Sequence, residues 1–224
     1  MTKSHRNRSF LIGSILPLTV SICLILASQV AFAGKGEAII RKVQEKFESL
    51  NTLSVHFEAL LQSDLEGGSQ CEAGMIYLDS TGRYRTETTT QTIVFDGRSI
   101  WMYNSNENQV IIRSAEQGAD DLLTPQRLLY EYPTLYAIEN VEKETCSGFP
   151  CYRLVMVPKE ETDPTRQLQV WIDMKEYLTR KFVLEDLAGN VTTFEFRSFQ
   201  IGQALPDATF QFTPPEGAEV IDMR

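Results

Sequence analysis

The sequence predicts a mainly β (α+β) protein: a single strongly curved antiparallel sheet with two or three helices covering its concave face. Three observations predict it. Beyond residue 52 apolar and polar residues alternate with period two over segment after segment. Turn-forming residues punctuate those segments at Gly67-Gly68, Gly82, Asp96-Gly97, 104 to 108, Asp163-Pro164 and Ala188-Gly189-Asn190. Helical spacing is confined to two stretches, too little to cover a wide sheet fully.

Taken in order, residues 1 to 8 are basic, 9 to 30 are uncharged and mostly apolar, and Ala31-Phe32-Ala33 offers small residues where a signal peptidase reads. We read 1–33 as a signal peptide cleaved before Gly34, leaving 34–224 as one domain. An uncleaved anchor is disfavoured by Pro17, the serines and the A-x-A ending, and a lipidated Cys23 by the bulky Ile22 before it. From Lys35 to Leu50 the residues Ile39, Val43, Phe47 and Leu50 mark an amphipathic helix. Leu53, Val55, Phe57, Ala59 and Leu61 then share one parity of a strand. Further strands are expected at 71–78, 83–89, 91–95, 99–104, 108–113, 135–145, 151–157, 167–173, 178–185 and 191–201. A second helix is expected over Thr124 to Tyr132, with Thr124 as cap, Pro125 in the first helical position and Pro133 as the stop. Leu168-Val170-Ile172, Phe182-Leu184 and Phe194-Phe196 repeat apolar side chains on one parity. That greasy face implies either a cavity or an ordinary packed core.

Composition narrows the function. Loss of Lys3, Arg6 and Arg8 with the leader takes the basic residues from 21 to 18 against 30 acids, a net charge of −12, which argues against a nucleic-acid role. His56 is the one imidazole beyond the leader, so His-rich metal sites are excluded. Cys71, Cys146 and Cys151 leave at least one thiol unpaired in a monomer, the expected state. If Ser147 to Pro150 turn a hairpin, Cys146 and Cys151 lie close enough to be bridged by a disulfide or simply packed together, and their spacing is not that of a thioredoxin-type pair. No phosphate loop, dinucleotide fingerprint, G-x-S-x-G elbow or H-E-x-x-H occurs, and no cofactor or metal is expected. A lipid-acting enzyme would have no base but His56, so no enzymatic activity is expected.

Gly82-Arg83-Tyr84-Arg85, the block Val94-Phe95-Asp96-Gly97-Arg98-Ser99-Ile100-Trp101-Met102-Tyr103, Gln109-Val110 and the ending Phe210-Gln211-Phe212-Thr213-Pro214-Pro215-Glu216-Gly217 resemble the LolA family of periplasmic lipoprotein carriers. With the N-terminal helix and Val55-His56-Phe57, the resemblance runs over nearly the whole mature chain. It implies an open half-barrel lidded by helices over an apolar cavity that holds the acyl chains of lipoproteins. The residues assigned to that cavity are Phe57, Leu61, Tyr77, Tyr84, Trp101 and Tyr103, then Leu128 and Leu129 of the lid, and Val170, Phe182, Leu184, Phe194 and Phe196. The parity of Trp101 and Tyr103 against Ile100 and Met102 leaves open which pair faces inward. The family often carries Arg-Pro before the Gly-Arg-aromatic-Arg stretch, as a latch on the lid. This chain has Ser80-Thr81 there, so the latch at position 80 is weaker or is built from another residue.

The resemblance implies a periplasmic carrier that takes acylated lipoproteins from an inner-membrane ATP-driven releasing complex to an outer-membrane receptor. The alternative is a module of the same fold that senses lipoproteins or lipids and controls a membrane signalling protein. N-terminal sequencing of the protein from a periplasmic extract is expected to begin at Gly34; an N-terminus at Met1, or a lipid on Cys23, would contradict the leader reading.

Overall fold

The computed structural model describes residues 34–63, 67–118 and 124–224. The leader, with its cleavage motif and Cys23, lies outside the described residues. Helix α1 runs over 34–48 and turns Ile39, Ile40, Val43 and Phe47 inward, all buried. Burial at about 1.5–3 kcal/mol per large apolar side chain holds it down far more than its intrinsic propensity does.

Twelve strands follow among the described residues: β1 (Thr52–Gln62), β2 (Ser69–Asp79), β3 (Tyr84–Thr88), β4 (Gln91–Phe95), β5 (Ser99–Asn104), β6 (Gln109–Ser114), β7 (Tyr136–Cys146), β8 (Phe149–Pro158), β9 (Thr165–Asp173), β10 (Thr179–Asp186), β11 (Val191–Ile201) and β12 (Glu219–Asp222). They form one open sheet in the order β12-β6-β5-β4-β3-β2-β1-β11-β10-β9-β8-β7. Neighbours run antiparallel, except that β12 pairs in parallel with β6. The chain therefore winds outward from β1 to β6, crosses to the opposite edge at β7 and winds back inward to β11, and β1 holds the middle by pairing with both β2 and β11.

Four features differ from the sequence reading. Strand β12, all exposed, carries no alternation and is held by its partner β6 rather than by burial. A short helix α2 (Ala115–Gly118) follows β6. The helix expected over Thr124 to Tyr132 makes one α turn at 125–126, widens to a π turn over Arg127–Glu131 and tightens to 3-10 over Tyr132–Thr134. Pro133 does not stop it, because a proline near the start of a 3-10 turn has no N–H to lose. The β7–β8 hairpin is also tighter than a four-residue loop: Cys146 pairs with Phe149, and Ser147 and Gly148 alone turn it at φ 49° and 84°, the positive values a two-residue turn needs.

The inner face depends on a close approach where β2 crosses β1. Gly74 pairs with Phe57, and a Cβ at Gly74 would lie 2.1 Å from the Glu87 carbonyl oxygen and 2.8 Å from the Phe57 ring. Glycine thus lets that ring lie over β2 and reach the core. Gly74→Ala is expected to lower stability by about 2 kcal/mol or more, since backbone must move, whereas Gly68→Ala, which meets nothing within 4 Å, is expected to be near neutral. Chemical denaturation of the two variants checks this.

Candidate functional site

Strand register decides which side chains face the helices. Leu53 pairs with Leu78, Leu78 with Tyr84, Tyr84 with Phe95 and Phe95 with Ile100, so these five share the inner face. On the other side of β1, Phe57 pairs with Phe196, Phe194 with Phe182, Phe182 with Val170 and Leu184 with Leu168, which continues the same face. The rings of Phe57, Phe182 and Phe196 meet Phe194 at centroid distances of 6.1, 6.5 and 6.3 Å. Phe57, Val170, Phe182 and Phe196 are buried, and Leu184 and Phe194 half-buried. Leu61, at the end of β1, is 43% exposed and stands at the open end of this face. Leu128 and Leu129 close over it from the lid, both buried.

Three of the expected cavity residues lie on the outer face. Tyr77 pairs with Arg85, Arg85 with Val94 and Val94 with Trp101, the parity opposite to Tyr84. Trp101 and Tyr103 pack instead on Phe212, at 6.1 and 6.0 Å, beneath the C-terminal segment, and Trp101 donates its indole N–H to Asp96 at 2.9 Å. The assignment of Tyr77, Trp101 and Tyr103 to the cavity is corrected: both faces of β5 are covered, so its apolar content has no parity. Ile100 takes the inner place.

The lid is residues 125–134. Thr124 Oγ1 accepts the Arg127 N–H at 3.2 Å, the cap expected from the sequence. Tyr130 stacks on Phe47 of α1 at 4.9 Å and 19°, and Tyr132 meets the Phe182 ring edge-on. Side-chain hydrogen bonds fasten it to the sheet at three points. Thr179 Oγ1 on β10 donates to the Leu129 carbonyl at 2.7 Å in a buried setting. Gln126 Nε2 donates at 2.8 Å to the carbonyl of Gly82, in the β2–β3 turn. At the far end Lys159, just beyond β8, donates to the Pro133 and Thr134 carbonyls at 3.0 and 3.1 Å in an exposed setting.

The β2–β3 turn is rigid. Asp79 accepts from the Thr81 N–H and hydroxyl and from the Arg83 N–H and Nε–H, at 2.7 to 3.0 Å. Burial alone would push its carboxyl up; these bonds outweigh burial and hold it below the usual carboxylate range. Ser80 is exposed, and its own N–H donates to the Asn51 carbonyl at 2.8 Å. Gln126 therefore fastens the lid to the turn that carries Ser80, donating from the lid rather than from the turn.

Two cavities open where lid, turn and α1 meet. One, ≈ 340 Å³, is lined by Tyr84, Phe95, Ile100 and Ala115 from the sheet side and by Thr124, Gln126, Arg127, Tyr130 and Glu131 from the lid. The other, ≈ 370 Å³, is lined by Phe47, Leu50, Leu53, Leu78, Ser80 and Tyr130 among others, and shares Gly82 and Tyr130 with the first. Burial pushes the Tyr84 and Tyr130 phenols up to about 12, so both stay neutral, and it raises the Glu131 carboxyl as well. A recess of ≈ 460 Å³ beside β7 sets Ile40, Pro133, Tyr136, Ala137 and Ile138 among Glu37, Arg41, Gln44 and Lys159 in its wall. Phe47, Leu53, Leu78, Phe95, Tyr130 and Gln126 were not among the expected site residues. Phe95 could have been found by register, since it flanks the Asp96-Gly97 turn opposite Ile100, whereas nothing in the spacing marks Gln126.

Cys146 and Cys151 are free thiols, buried with Trp171 on the outer face, and Cys71 is free and exposed. Cys151 faces Glu144 rather than Cys146, so the two sulfurs sit diagonally, packed rather than bridged. The Cys151 thiol donating to it pulls Cys146 down and leaves Cys151 raised. His56 lies on the parity opposite Phe57, pairing with Met75 and Arg197.

A curved open sheet, a short lid and an apolar interior define a lidded half-barrel. Residues 48–213 match the family of the outer membrane lipoprotein carrier protein LolA, and the chain belongs to that family. It is 25% identical over 208 residues to the outer-membrane lipoprotein carrier protein of Nitrosomonas europaea, covering 91% of this chain and 96% of that protein. It is 22% identical over 211 residues to an uncharacterized protein of Methanocaldococcus jannaschii, with 91% of this chain matched and only 60% of that longer relative spanned. The crystal structure of an uncharacterized conserved protein from Thermus thermophilus shares the fold, with a TM-score of 0.54, 15% identity, and 84% of this chain and 99% of that chain covered.

Thr179→Val keeps the side-chain shape and removes the donor to Leu129. It is expected to cost about 1–3 kcal/mol by leaving a buried carbonyl unpaired, and to speed hydrogen exchange in 125–134 more than in β9 or β10. Uniform protection across all three segments would show that this bond does not hold the lid.

Proposed function

We propose that this protein is a periplasmic carrier that shelters the acyl chains of lipoproteins between the inner face of its sheet and its lid. It takes them from an ATP-driven releasing complex in the inner membrane and hands them to a receptor at the outer membrane. The observation that carries the reading is the cover of the inner face. That face is apolar across most of the sheet, but it is closed by one amphipathic helix and a short irregular lid that Gln126, Thr179 and Lys159 fasten at separate points. Acyl chains can replace the apolar side chains of such a cover at little cost in polar pairing. At about 0.8 kcal/mol per buried CH₂, a long chain is worth ~12 kcal/mol, so extraction from a bilayer needs energy from the donor, and delivery needs only a receptor that holds the chain more tightly. The reading is of a carrier without covalent chemistry, supported by His56 pointing away from the apolar interior.

Mass spectrometry of material co-purified from the periplasm is expected to show acylated proteins. Phe194→Glu, which sets a carboxylate on the inner face, is expected to weaken binding of a fluorescent apolar probe tenfold or more, and His56→Ala to leave it unchanged, with circular dichroism confirming that both fold. Equal loss in both folded variants would overturn an inner-face site.

A further inference from the structure

The ≈ 340 Å³ cavity is apolar on its sheet side and polar on its lid side, the division an amphiphile presents at the junction of chain and headgroup. Gln126 stands on the lid side with one half of its amide already used. Its Nε2 donates to the Gly82 carbonyl; the flipped amide would set two carbonyl oxygens against each other, so the orientation is fixed. Its Oε1 is then buried and, among the described residues, has no hydrogen-bond partner. A buried acceptor left unpaired costs more than its paired form gains, so this position favours a ligand that brings a donor. The charges beside it do not select a cation. Arg127 and Glu131, which also line the cavity, stand four residues apart on the lid with opposite sign, and an ammonium would need several acceptors where one neutral oxygen is open.

Resting on the carrier reading, we propose that Gln126 is a specificity-determining residue whose Oε1 accepts the N–H of an amide-linked acyl chain. The cavity thereby favours an N-acylated amine over an ester of the same chain length. The N–H and its acyl chain enter together: the chain lies toward Tyr84, Phe95 and Ile100, and the amide stops at the lid.

Three competitors with matched chains displace a fluorescent apolar probe from the full-length mature protein: N-methyldodecanamide, methyl dodecanoate and dodecylammonium. The wild type is expected to bind the amide ~3–10-fold more tightly than the ester, the range of one net hydrogen bond, and the ammonium no better than the amide. In Gln126→Leu, and in Gln126→Met should the first not fold, the ratio of amide to ester is expected to fall to about one. Any loosening of the lid shifts both competitors together and leaves the ratio alone. Equal affinity for amide and ester in the wild type, a ratio that survives both substitutions, or an ammonium that binds tightest would each overturn the assignment while leaving the carrier reading intact. Failure of the wild type to bind any of the three would overturn both.

Discussion

The rest of the structure depends on a mismatch of area: a twelve-stranded sheet presents an apolar inner face, and among the described residues α1 and the lid keep water from it. Such a face must be covered, because each large side chain left wet forfeits about 1.5–3 kcal/mol. The cover is made mostly of non-directional contact. Ile39, Val43 and Phe47 from α1, and Leu128, Leu129 and Tyr132 from the lid, are buried against the strands. The polar links on α1 are slight: Lys42 donates to the Tyr177 hydroxyl at 3.0 Å and Lys46 lies 3.9 Å from Glu176, both near solvent. Apolar contact does not distinguish a leucine from an acyl chain, so a cover held in this way can be exchanged for another apolar group at little net cost.

The sheet beneath that cover is stiff where the lid must register on it. The β2–β3 turn is braced by Asp79, and Arg83 runs on from Asp79 to Asp207 and to the face of Phe210, at 4.8 Å. Gly82 offers its carbonyl from this fixed frame, while the π turn of the lid has no regular helical ladder and is capped by the Thr124 hydroxyl at 3.2 Å. The fixed partner is the sheet and the yielding one is the lid. Thr179, fully buried, anchors the lid near its middle, and Gln126 ties its first turn, so the mouth cavity lies at an end held by the more accessible of these two bonds.

Much of this was legible in the sequence because burial on one side only leaves a period-two record. Leu53, Val55, Phe57 and Ala59 alternate with half-buried or polar neighbours, and the strands read from such patterns lie within two residues of those observed. The record fails where both faces are covered. Trp101 and Tyr103 are as apolar as Ile100, since Phe212 shelters the outer face of β5 just as the lid shelters the inner one. It fails again where pairing rather than burial makes the strand, as in β12. It is silent on Gln126: one amide among many acquires meaning only when its two ends are placed, one against a carbonyl and the other against nothing.

On the carrier reading, the C-terminal segment makes the lid, and not the sheet, the part that would open. Phe210 is 1% exposed, and Arg85 donates to the carbonyls of Thr209 and Gln211, which ties that segment across β3. Further along, β12 adds its ladder to β6, and Arg224 lies over Trp101 and donates to Ser99 Oγ at 3.2 Å. The strands that form the mouth, β3 to β6, are therefore sandwiched: strap outside, lid inside. Flattening them to admit a ligand would break the outer packing as well as the ladder, whereas lifting the lid exposes one short segment and frees a few hydrogen bonds. Between a motion that loses both covers and one that loses a single replaceable cover, the second has the lower cost, and its path runs directly through the cavity that Gln126 and Tyr84 share.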